Sequence, residues 1–84
     1  MPAKPPAIRE YTLAVFNYGI YYNAREGSDD VEGYRRYLVK WAKKAADVSR
    51  KLAAETAPYG SMNQMWLTES AYWRAKEDSH RAGR

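Results

Sequence analysis

The clearest pattern in the chain lies in its middle. Val31, Tyr34, Leu38, Trp41, Ala45, Val48 and Leu52 recur at alternating spacings of three and four residues, which places their side chains on one face of an α-helix. Arg36, Lys40, Lys43, Lys44 and Lys51 project from the opposite side, with Asp47 among them. Alanines between positions 42 and 54 add intrinsic helix preference. The pattern predicts an amphipathic helix over residues 29–56, eased on its solvated side by Glu32–Arg36 and Asp47–Lys51 pairs at i,i+4.

Two breaks bound this helix. Gly27-Ser28-Asp29-Asp30 reads as a turn followed by acids suited to a helix N-terminus, and Asp29 with Glu32 fits a capping box. Pro58-Tyr59-Gly60-Ser61 is the second break, with Ser61 and Gln64 as a further capping box. Beyond it, Met62, Met65, Trp66, Tyr72 and Trp73 share one arc of a helix predicted over 61–79. Glu69 lies in the middle of that arc. In a core it needs an arginine, a lysine or a tyrosine hydroxyl as partner. The polar end from Lys76 onward is expected to fray, which makes His80 a solvated tail residue.

The segment before the first break is the least regular. Tyr11 to Tyr22 is rich in strand-favouring residues, and both of its alternating sets are largely apolar. Its length argues for helix, because strands of 15 or more residues are unusual. A helix over 8–25 has two apolar faces: Leu13, Phe16 and Ile20 on one side, Tyr11, Val15, Tyr18 and Tyr22 nearly opposite. Such a helix must be sandwiched. In a three-helix chain, two neighbours can cover one face and a partner molecule the other.

These elements predict an all-α fold, a small three-helix bundle that dimerises or forms a stable complex. A Pro-rich arm is expected over residues 1–7, a single helical domain over 8–79 and a frayed tail over 80–84. The core is expected to contain Leu13, Phe16, Ile20, Val31, Tyr34, Leu38, Trp41, Val48, Leu52, Met65, Trp66 and Trp73. That assignment leaves Tyr11, Tyr18 and Tyr22 as the partner-binding face.

Composition supports association. A chain of 84 residues buries only about 60–65% of its unfolded surface, so its margin of stability is thin. Without cysteine, disulfides and zinc–thiolate sites are excluded, and one histidine argues against a histidine-based metal cluster. Self-association is the remaining common support for a small domain. Eight tyrosines among twelve aromatic residues suit both a small core and a protein-binding surface. No apolar run reaches the roughly 20 residues of a membrane span, and Met1–Pro6 is not followed by a signal-peptide core. A cytoplasmic location, away from membranes, is therefore expected.

The net charge of +4 is concentrated in the central segment, where residues 31–57 carry seven basic against three acidic groups. Arg36, Lys40, Lys43, Lys44 and Lys51 are thus candidates for contact with phosphate or an acidic protein surface. The long alanine-rich helix lacks the asparagine, glutamine and arginine set that reads base edges. No nucleophile–base pair, phosphate-binding loop or cofactor motif is present, and Asp29-Asp30 is explained by the helix dipole. An enzyme is not expected, nor a cofactor.

The chain carries no family motif. In general character, compact, cysteine-free and without a catalytic signature, it resembles the small accessory proteins of bacteriophages and mobile elements, many of which bind and block a host or defence protein. That resemblance implies a protein-binding regulator or inhibitor. The alternative is a small basic nucleic-acid-binding protein that uses the central helix.

Overall fold

The computed structural model describes residues 6–83. It is all-α, with helices α1 (Pro6–Ala24), α2 (Val31–Glu55) and α3 (Gly60–Arg81), and a short 3-10 turn Arg25–Gly27 after α1. Each helix lies within about two residues of the sequence expectation. The Pro-rich arm falls largely outside the described residues, and α1 already begins at Pro6. At its other end α3 continues past the expected boundary, because Glu77 and His80 are buried and hold its last turns in place.

The helices run up, down and up, with α2 packed against both neighbours. Its inner face is rich in small residues, with Ala42, Ala45, Ala46, Ser49 and Ala53 buried beside Leu38, Val48 and Leu52. Small side chains let two helices approach α2 closely, but they fill little volume. The resulting Cα envelope is flattened, 46 × 29 × 14 Å. Large rings from α1 and α3 reach across to each other: Tyr11 meets Trp66 edge-on at 5.0 Å and Tyr18 meets Trp73 edge-on at 5.0 Å. Edge-to-face pairs of this kind are favourable beyond the area they bury.

A side-chain cap explains where α2 begins, and neither predicted capping box forms as expected. Asp30, not Asp29, caps α2, its carboxylate accepting from the Gly33 amide at 3.0 Å. The Ser28 hydroxyl in turn accepts from the Asp30 amide. A Cβ on Gly33 would stand 2.2 Å from the Asp30 carboxylate, so the glycine keeps the cap geometry open. The proposed Ser61–Gln64 box is absent, and α3 starts after Tyr59 with no side-chain cap. At the other end of α2, Asn63 donates to the Ala53 carbonyl at 2.6 Å, which ties the α2–α3 turn together.

The anticipated surface ion pairs are also re-partnered. Glu32 pairs with Arg35, while Asp47 pairs with Arg74 of α3 at 2.8 Å. Arg74 and Arg81 both bind the buried Glu77 carboxylate, at 2.6 and 2.8 Å. Burial pushes the Glu77 carboxyl upward, but hydrogen bonds from Arg81 and Arg74 outweigh it and hold the group below its ordinary value near 4.5. Its stabilising contribution is therefore present above that value and lost as pH falls through the depressed folded value. Glu77→Ala is expected to cost about 1–2 kcal/mol at neutral pH. Urea titrations at pH 7 and pH 3 check this, the variant's deficit shrinking at the lower pH.

Candidate functional site

The sequence expectation turns Leu13, Phe16 and Ile20 of α1 inward, and tertiary contacts overturn it in favour of the tyrosines. Tyr18 is 7% exposed and shares a 2.7 Å hydrogen bond between its hydroxyl and His80 Nε2. Tyr11 is half-buried. Its hydroxyl donates to Glu69 Oε2 at 2.8 Å and accepts from Trp73 Nε1 at 3.1 Å. Tyr22 lies at the rim, stacked on Tyr18 at 5.9 Å and covered by the Arg25 guanidinium 4.1 Å above its ring. Tyr11 and Tyr18 are thus not a free docking surface. They hold α1 to α3.

His80 is correspondingly not a solvated residue: it is 5% exposed. Glu69 has the hydroxyl partner that a carboxylate in that arc requires. Sequence did carry a signal for this arrangement. Trp66, Glu69, Trp73, Glu77 and His80 recur at spacings of three and four, one continuous stripe with polar groups embedded in it. A stripe of that composition calls for hydroxyls on the helix it faces, and the tyrosine side of α1 supplies them.

Burial, the largest effect, pushes both hydroxyls up to about 12, Tyr11 with an added upward push from Glu69 and Tyr18 from Tyr22. Their folded values lie above the ordinary 10, so the folded state favours the neutral phenols. The associated stability is complete below pH 10 and lost as pH rises from there toward 12. Absorbance titration of phenolate should show Tyr11 and Tyr18 ionising last, together with loss of helical circular dichroism. Tyr18→Phe should remove one of these late transitions.

With the tyrosines turned inward, Leu13, Phe16 and Ile20 face out. They are 56%, 65% and 46% exposed, the reverse of their expected place in the core. Together with Ile8, Arg9 and Thr12, Leu13 and Phe16 line a shallow groove along the outer surface of α1. Gly19 and Asn23 continue the stripe at helical spacing. Other expected core residues are also re-placed. Val31 and Met65 are exposed and Tyr34 is half-buried, whereas Trp41 and Trp66, also half-buried, pack against the core as expected. Val31 sits in the first turn of α2, at the edge of a cleft of about 280 Å³ lined also by Arg25, Arg35, Leu38 and His80. Met65 points off the Trp66–Trp73 stripe.

The basic candidates lie where the helical wheel puts them. Arg36, Lys40, Lys43, Lys44 and Lys51 are all exposed on α2. Lys44 approaches Glu10 at 4.0 Å and Lys40 lies over the Trp41 ring at 5.0 Å. Among the described residues, no group of three or more His, Cys, Asp or Glu side chains could hold a metal ion. No described helix is long and apolar enough to cross a membrane. Comparison with protein-family models, with curated protein sequences and with solved structures returns no match.

Proposed function

We propose that this chain is a small non-enzymatic protein-binding regulator or inhibitor, of the accessory type its character resembles, and that it docks through the outer face of α1. One observation carries this reading. Leu13, Phe16 and Ile20 stand exposed in a single stripe on a helix whose opposite face is already committed to α2 and α3. Scattered apolar residues need no explanation on a protein surface, whereas a contiguous rimmed stripe is typical of interaction sites. The partner face is therefore moved from Tyr11, Tyr18 and Tyr22 to the other side of the same helix. Exposed basic residues of α2 supply steering toward an acidic partner. The self-association expected from the sequence belongs to the same proposal.

A second reading keeps the basic helix as a nucleic-acid contact. It draws support from the exposed Tyr37, which stacks on Tyr21 at 4.5 Å on the helix that carries Lys40 and Lys44. Tyr21 of α1 is thereby added to an aromatic residue that neighbours lysines on α2, the interleaving that single-strand binding uses. Two measurements distinguish the readings. Affinity purification from the native host, with mass spectrometry, should yield a protein retained by the wild type and lost from Phe16→Glu. Generic DNA and RNA should bind weakly and without the steep salt dependence of phosphate contacts. Tight, salt-sensitive binding abolished by Lys40→Glu/Lys44→Glu, with no effect of Phe16→Glu, would reverse the order.

A further inference from the structure

We infer that the outer face of α1 binds a second copy of this chain, with the two α1 helices antiparallel across a two-fold axis. The inference rests on the docking surface proposed above and adds that a second copy occupies it when no other partner is bound. Three features of the stripe favour a second copy.

The first is Gly19. It lies within α1 with a negative φ, since Gly83 is the only described glycine with a positive one. A Cβ there would meet nothing within 4 Å. Neither backbone conformation nor internal contact therefore calls for glycine, although glycine weakens a helix interior relative to alanine. Close approach of another backbone is the use that remains.

The second feature is self-complementarity. Phe16, the most exposed member of the stripe, is one turn from Gly19. An antiparallel two-fold places each Phe16 ring against the other copy's Gly19, a knob and a hole supplied by the same sequence. An isologous interface requires this, because one patch must fit itself.

The third feature is charge. From Thr12 to Asn23 the stripe is uncharged, with Arg9 at one end and Glu26 just beyond the other. Neither forms an ion pair among the described residues. Antiparallel helices bring each Arg9 toward the other copy's Glu26. A parallel pair would instead oppose like charges at both ends. The stretch from Arg9 to Glu26 is about 25 Å long at 1.5 Å per residue. One helix-on-helix contact of that length is smaller than the roughly 800 Å² per partner of standard interfaces. The dimer should therefore be weak and dissociate on dilution.

Sedimentation equilibrium of the full chain, from about 1 μM to about 1 mM, tests the proposal. The mass should rise from the 9.7 kDa monomer toward twice that value. Phe16→Glu should remain monomeric with helical circular dichroism intact. Gly19→Ala should act with opposite signs on two readouts, raising the Tm of the dilute monomer while weakening association about tenfold. Arg9→Glu and Glu26→Arg should each weaken association severalfold, and their combination should restore it. A wild type that stays monomeric throughout overturns the second copy. So does a dimer indifferent to Phe16→Glu. Association unchanged by Gly19→Ala, or unrescued by the double charge swap, overturns the antiparallel arrangement. If the wild type is monomeric but Phe16→Glu still abolishes retention of a host protein, the docking reading survives its proposed occupant. If Phe16→Glu alters neither, both fall.

Discussion

Tyr18→Ala is expected to destabilise the protein by about 3–5 kcal/mol, the usual range for removing a buried aromatic side chain. Total stability for a domain of this size is on the order of 5–10 kcal/mol, so the variant should lose roughly a third or more of it and melt well below the wild type. The loss has three structural sources. The ring packs edge-on against Trp73 and stacks on Tyr22. Its hydroxyl is bonded to His80 Nε2 at 2.7 Å. The α2 side chains in the same cluster are Leu38 and three alanines, Ala42, Ala45 and Ala46, and the alanines cannot extend to fill the space. Tyr18→Phe retains the ring and removes only the hydroxyl bonded to His80, at a cost of about 0.5–1.5 kcal/mol. Urea unfolding followed by circular dichroism measures both. Full stability in Tyr18→Ala, with partner binding lost, would show that α1 is turned the other way.

The second large effect is a separation of binding from folding. Leu13→Gln/Phe16→Gln/Ile20→Gln removes three large apolar side chains, yet the unfolding free energy should change by no more than about 0.5 kcal/mol per site. Glutamine is a good helix former and these side chains are exposed, so nothing internal is lost. Had the same residues been core, each truncation would cost about 2–5 kcal/mol and the variant would not fold. Against a preserved thermal transition, concentration-dependent association and partner retention should both disappear. A triple variant that is unfolded would return these residues to the core.

Much of the architecture was legible because it depends on local chemistry. The alternating spacings from Val31 to Leu52, the turn residues at Gly27–Asp30 and Pro58–Ser61, and the alanine content of α2 all act within a few residues. They suffice to place the helices of an all-α bundle. The details of capping were less legible, since Asp29 and Asp30 are equally good acceptors in composition. Backbone geometry at the turn selects Asp30, and Gly33 leaves room for it. Likewise Asp47 has a lysine within reach on its own helix, but Arg74 arrives from α3 in a better position.

The candidate surface was visible as a pair of faces, and the local term that ranks them points the wrong way. Leu13, Phe16 and Ile20 are more hydrophobic than tyrosine, so transfer from water alone favours burying them. The tyrosine face wins because hydroxyls are assets only where acceptors and donors meet them, and those partners lie some 60 residues away along the chain, at |i−j| of 58 for Tyr11–Glu69 and 62 for Tyr18–His80. Burying the aliphatic side instead would leave Glu69 and His80 inside the bundle without those hydroxyls. Helix positions, the basic back of α2 and the two-faced nature of α1 follow from residue order and period. The inward turn of Tyr11 and Tyr18, the burial of His80 and the exposure of Phe16 arise only when α3 lies beside α1. Satisfying buried polar groups is a property of the assembled helices, which periodicity along one of them does not contain.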